Sequence, residues 1–196
     1  MRTPFFIVPV IAAVLLSGCV ASIPPASVTR FHLGQPIAAG AVLIEPLSSG
    51  DSQSLEFQTY AAAVAAAISA AGLTPGQGSA TPWIAGIEVS RSSRPALRKA
   101  SPITIGIGGG TGGYGSGVGL GASFGLGGNK NGETVTTRLS VRLMKRSDRS
   151  TVWEGRAEIE ALSSAPSAQP GLAAEKLAKA LFKDFPGESG KTVLVP

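Results

Sequence analysis

The chain has 196 residues, with 17 Lys and Arg against 12 Asp and Glu. One cysteine and one histidine exclude an internal disulfide and leave too few side chains for a His/Cys zinc site. The length suits a single core, since domains usually hold about 100–200 residues. The small basic excess does not define a nucleic-acid protein.

Arg2 opens a short positive segment, and the apolar run "PFFIVPVIAAVLL" reaches Leu16. That run is too short for a permanent membrane span but fits a signal-peptide core of about 7–15 residues. It ends in Leu16-Ser17-Gly18-Cys19, which resembles the lipobox of bacterial lipoproteins. The resemblance implies cleavage between Gly18 and Cys19, a diacylglycerol on the Cys19 thiol and an acylated new amino terminus. Several acyl chains, at ~0.8 kcal/mol per buried methylene, anchor a protein without a spanning helix. Val20 follows where aspartate would signal inner-membrane retention, so the same resemblance implies the outer membrane.

The expected organisation is a signal peptide over 1–18, a lipidated tether over 19–29 and one domain over 30–196. The tether call rests on "VASIPPASVT", which is small, polar and proline-bearing. Loss of the leader leaves 16 basic against 12 acidic side chains, a formal charge of +4. That charge suits a solubilising surface, or contact with anionic lipid or cell-wall polymers.

"AVLIEP", Ala41 to Pro46, reads as a strand stopped by proline. In "SLEFQTYAAAVAAAISAAGL" the residues Phe57, Tyr60, Val64, Ile68 and Ala71 fall on one helical face. Ser54 or Asp51 caps its start, Glu56 sits in its first turn, and Gly72 stops it with Leu73 folding back. "PWIAGIEVS" alternates, with Trp83, Ala85, Ile87 and Val89 directed at the core.

Two strands follow a glycine-rich block. "ETVTTRLSVRLM" places Val135, Leu139, Val141 and Leu143 on one face, and "STVWEGRAEIEA" does the same with Trp153, Ala157, Ile159 and Ala161. A three-residue loop, Ser147-Asp148-Arg149, would pair Arg142 with Glu154, Arg138 with Glu158 and Leu143 with Trp153. A slip of two residues either way sets Arg142 or Arg138 opposite Arg156, and facing like charges destabilise. "GLAAEKLAKALFKDF" forms a second helix that buries Ala174, Leu177, Ala178, Leu181 and Phe185, and "KTVLVP" adds a short edge strand. The order predicts an α+β fold: a two-layer sandwich with a mostly antiparallel sheet of about four to six strands, two helices on one face and a Gly-rich hairpin insertion.

The hairpin "RLSVRLMKRSDRSTVWEGRAE" and a lysine-dotted helix ending in "LFKDFPG", with the lipobox and the glycine-rich insertion, resemble the bacterial lipoproteins of domain-of-unknown-function family 4136. The resemblance runs from about Thr29 to Pro186. It implies this architecture and brings no catalytic residues with it.

The insertion, 103–128, alternates Ile103, Ile105 and Ile107 with Thr104 and glycine, then Val118, Leu120, Ala122, Phe124 and Leu126 with glycine and serine. It reads as a hairpin extending the sheet or packing on a partner, as a mobile insertion, or as a pore hairpin. Its overlapping G-x-G-x-x-G patterns (from Gly108 and from Gly110) precede no helix, so dinucleotide binding is rejected. "GESGKT" lacks the first P-loop glycine, because Phe185 stands there, and has too little chain after it for the phosphate-binding helix.

His32 is placed too near the tether to read as a general base, and Glu154, Glu158 and Glu160 read as solvated or paired charges. Arg91, Arg94, Arg98 and Lys99 form the densest basic group, read as a solvated loop or as a contact for phosphate or carboxylate groups. No metal or cofactor is expected. The expected partners are the membrane, through the anchor, and an envelope protein or cell-wall component, with no nucleic acid. Three functions stay open: a non-enzymatic outer-membrane lipoprotein, an oligomeric assembly whose hairpins enter the membrane, and an envelope enzyme without a recognisable residue set.

Overall fold

A computed structural model describes residues 23–48, 52–96 and 132–196. In chain order the elements are β1 (Ala26–His32), β2 (Ala41–Pro46), α1 (Leu55–Ala70), β3 (Thr74–Gly76), β4 (Trp83–Pro95), β5 (Glu133–Lys145), β6 (Thr151–Leu162), a short 3-10 turn (Pro166–Ala168), α2 (Pro170–Phe182) and β7 (Thr192–Val195). The strands form one sheet in the order β3-β2-β4-β5-β6-β1-β7. Both pairings of β2 are parallel and the rest are antiparallel. The class is the expected α+β, but the sheet has seven strands among the described residues and a parallel edge. A parallel β2–β4 pair needs a crossover, and α1 supplies it.

The core lies between one face of the sheet and the two helices. Tyr60, Val64, Ala67 and Ile68 of α1 and Ala174, Leu177, Ala178 and Leu181 of α2 are buried against Ala85, Ile87, Leu139, Val141, Trp153, Ala157 and Ile159. Ser54 caps α1 by accepting from the Phe57 N–H at 3.1 Å. Beyond its last turn the Leu73 N–H reaches the Ile68 carbonyl at 3.0 Å, so Leu73 folds back and is buried. In β4 Ile84 is buried as well as Trp83, Ala85 and Ile87, because Leu47 and Met144 cover that end of the opposite face around Gly86, while Val89 is half-buried.

The tether boundary is corrected. The strand begins at Ala26, and Ala26 and Val28 are fully buried between β6 and β7, so residues 26–29 belong to the domain. Small side chains there fit a crowded position between two strands, and the same composition resembles a linker. Three-residue β3 was also unexpected; its Pro75 suits an edge, where a missing N–H goes unused.

The β5–β6 register is the one the charges select: Arg142 faces Glu154, Arg138 faces Glu158 and Leu143 faces Trp153. The loop differs from expectation. The ladder shifts after Leu143, so Met144 faces Thr151, and the turn is closed by the Lys145 N–H to the Ser150 carbonyl at 3.0 Å. A bulge thus takes up one residue, with Arg149 at φ 57°.

Strand directions give the domain two distinct ends. The ends of β4 and β6, the starts of β5 and β1, and the starts of α1 and α2 share one end. There the chain leaves at Ala96 and returns at Gly132, joined by a 2.7 Å hydrogen bond. The β5–β6 turn, the end of β1 and the C-termini of both helices share the other.

Candidate functional site

Gly18 and Cys19 lie outside the described residues, as do Arg98, Lys99 and the insertion 103–128. The remaining two residues of the basic group are not brought together. β4 continues through "RSSRP" to Pro95, so the segment read as a loop is strand, and Arg91 and Arg94 project from opposite faces. Arg91 donates from Nη2 to the Ala168 carbonyl at 2.6 Å, tying the strand to the turn before α2. Arg94 pairs with Glu160 at 2.7 Å. The described part of the group is spent on internal contacts and forms no shared anion cradle.

The sheet face opposite the helices carries the largest array of charge. From β4 to β6 it presents Arg94–Glu160, Arg138–Glu158 at 2.6 Å and Arg142–Glu154 at 3.3 Å, with Arg156 reaching Glu154 at 3.4 Å. Serines and threonines fill the positions between them. The same face continues onto β1 and β7, where Phe31 and Leu194 are exposed. Among the described residues no helix covers this face, so it is a charge-paired surface on which Phe31, Leu162 and Leu194 are exposed.

At the turn end, side chains lock the C-terminus of α2. Arg30 is buried, and its guanidinium donates to the carbonyls of Leu181 (2.9 Å), Ala180 (2.8 Å) and Lys183 (3.0 Å). Burial lowers its pKa from the ordinary guanidinium value, while Asp184 pulls the other way. A side chain at Gly187 would strike the Arg30 stem within 2.7 Å, and its φ of +81° favours glycine independently. The Trp153 indole donates to the Pro186 carbonyl at 2.9 Å, stacks on Phe182 and meets Phe185 at a tilt of 56°, with centroids 5.3 Å from each. Its ring lies over Gly155, where a Cβ would come within 2.4 Å. His32 belongs to the same region: Nδ1 accepts from the Gly34 N–H at 3.1 Å and Nε2 lies 3.0 Å from the Gly187 carbonyl. With both nitrogens engaged by backbone, the histidine pins a loop.

Two grooves open near this end. One of about 520 Å³ has an apolar floor from Ala67, Ala180 and Val195 and a rim of Lys176, Lys179 and Lys183. The other, of about 390 Å³, lies between His32, Ile37, Leu73 and Pro186. Among the described residues no cluster of three or more His, Cys, Asp or Glu has the geometry to hold a metal ion. Sequence reasoning missed Arg30 as a buried group because an arginine one residue past the supposed tether reads as surface.

No family model matches the chain. A protein of Zymomonas mobilis subsp. mobilis described as uncharacterized is 42% identical over 65 residues, which are 33% of this chain and 24% of that protein. The matched stretch therefore spans about a quarter of the relative's length. Among solved structures, a PelC dodecamer from Paraburkholderia phytofirmans superposes with a TM-score of 0.43 and 10% identity, covering 79% of this chain and 92% of that one. A point variant of it gives 0.44 and 11%. A PDZ domain protein from Parabacteroides distasonis gives 0.48 and 10%, covering 88% of this chain and 39% of that one.

Proposed function

We propose that the protein is a non-enzymatic, lipid-anchored lipoprotein of the outer membrane, facing the periplasm and binding or supporting envelope components. The observation that carries this reading is Leu16-Ser17-Gly18-Cys19 at the end of an apolar leader, seven residues before the first strand. Val20 supports the outer membrane as its address. The resemblance to family 4136 belongs to the same reading. The uncovered sheet face supports binding over catalysis: it offers a broad contact with paired charges and the apolar points Phe31 and Leu194.

The test is metabolic labelling with radioactive palmitate. The parent incorporates label and fractionates with the outer membrane, whereas Cys19→Ser incorporates none and keeps its leader or leaves that fraction. Normal processing and fractionation of Cys19→Ser overturns the anchor. A photo-crosslinker at Arg142, on the face opposite the helices, should then capture an envelope component that one on the helical side, at Lys179 of α2, does not.

A further inference from the structure

We infer that the end of the domain from which the tether emerges lies against the bilayer, with Leu55 and Leu172, the exposed leucines of the first turns of α1 and α2, touching the lipid surface. This rests on the lipid-anchor reading and adds an orientation to it. Four exposed apolar residues stand toward that end of the fold: Ile23 before β1, Leu162 at the end of β6 on the open sheet face, and the two helix leucines on the other side. Leu55 is 81% exposed in the first turn of α1, on the side away from the buried stripe of Tyr60, Val64 and Ile68, so the core leaves it uncovered. Solvated singly, such residues need no explanation; gathered at the exit of an acyl anchor, they do.

The geometry of the chain favours the same end. Seven residue steps from Cys19 to Ala26 reach at most about 24 Å. β1 then runs away from this end for about 20 Å before Leu33. To set the Leu33 end on the membrane, the tether would have to double back, nearly fully extended, along the whole of β1. Leu33 is 80% exposed, matched to Leu55, yet sits at the opposite end. It is therefore an internal control of equal exposure and opposite placement.

The experiment uses the purified full-length lipoprotein in vesicles of phosphatidylethanolamine and phosphatidylglycerol. Leu55→Cys, Leu172→Cys and Leu33→Cys are labelled separately with a fluorophore, acylation having blocked Cys19, and quenched by lipids carrying a nitroxide near the headgroup. Interfacial groups sit about 5–10 Å into the headgroup boundary, so quenching at 55 and 172 should exceed that at 33 by about threefold or more. Equal quenching at all three sites, or stronger quenching at 33, overturns the inference. So does shielding of 55 and 172 from aqueous iodide without lipid quenching, the result expected if a second protein copy covers that end. Mass spectrometry of Cys19 separates the two readings. Should Cys19 prove unmodified, the anchor fails, and the three cysteine variants are remade in the chain from Val20 onward, labelled and added to vesicles from solution. Selective quenching at 55 and 172 then sustains the orientation, and its absence overturns it.

Discussion

Replacing Arg30 by methionine keeps most of the apolar stem and removes the guanidinium. Three backbone carbonyls then lose a donor: Leu181 and Ala180 at buried positions, and Lys183 at a partly exposed one. Two terms compete. Burying a guanidinium costs desolvation energy, and replacing a buried ion with an apolar residue is often neutral when its partners are replaced too. Here the partners are main-chain carbonyls and stay in place. Each buried carbonyl left without a donor costs about 1–3 kcal/mol, while Lys183 recovers a water. The loss for Arg30→Met should therefore be about 2–6 kcal/mol, or roughly 5–20 °C in Tm for a domain of this size. Arg30→Lys should fall between, because one ammonium lacks the planar fork that serves several acceptors at once. Thermal and urea unfolding of the chain from Val20 onward, followed by tryptophan fluorescence, reads the difference, since Trp153 packs on the same helix end. A Tm within 2 °C or so of the parent for Arg30→Met, outside the range calculated above, would refute the claim that these bonds hold α2 in place.

Tyr60 is fully buried, its hydroxyl has no hydrogen-bond partner among the described residues, and burial pushes its pKa up to about 12. The unfolded chain releases this proton from about pH 10 while the folded one retains it, so stability should fall by about 1.4 kcal/mol per pH unit between pH 10 and 12. Tyr60→Phe should remove that component from the alkaline unfolding profile and cost less than about 1 kcal/mol at pH 7, since no hydrogen bond is lost. Gly155→Ala sets a methyl within 2.4 Å of Trp153 and 2.7 Å of Leu181, and should destabilise by about 1–3 kcal/mol with loss of the near-ultraviolet tryptophan signal. A double-mutant cycle on Arg138 and Glu158 should give a coupling of about 0.2–1 kcal/mol, and one indistinguishable from zero would leave the pair without a role in register.

What the sequence disclosed, and what it hid, follows from composition. α1 was legible because Tyr60, Val64 and Ile68 repeat at helical spacing between a serine cap and a glycine stop. β5 and β6 were legible, register included, because their apolar residues are all odd-numbered and their charges discriminate between slips. β1 was not, although it also has period two. Its core face is Ala26, Val28 and Arg30, its outer face holds Phe31, and hydrophobicity alone inverts the pattern. Of the basic group, only Arg91 and Arg94 lie among the described residues. Four cations close in sequence suggest one patch, yet a strand sends Arg91 and Arg94 to opposite faces, and each finds an internal acceptor. Loop reading ended β4 at Ser90 because "RSSRP" has no apolar residue, whereas antiparallel pairing with β5 carries it to Pro95.

The two faces of the sheet thus do different work. On the helix side, Trp153, Leu139, Ile159 and Val141 lose nearly all contact with water, and burial of that kind is worth about 1.5–3 kcal/mol for each large side chain. On the open side, exposed ion pairs are worth under ~1 kcal/mol each. Stability therefore comes from the covered face and cannot by itself explain why the open one is so regular. A two-residue slip would preserve the apolar face, since every core position moves to another odd number, and would cost the core only a change in packing. The charges penalise it directly by facing arginine with arginine. Register is thus specified by the face that contributes least to stability, and among the described residues no helix covers that face. Substitutions there should be tolerated singly by the fold, which makes Arg138, Arg142, Glu154 and Glu158 the positions where the envelope contact proposed above can be tested apart from loss of structure.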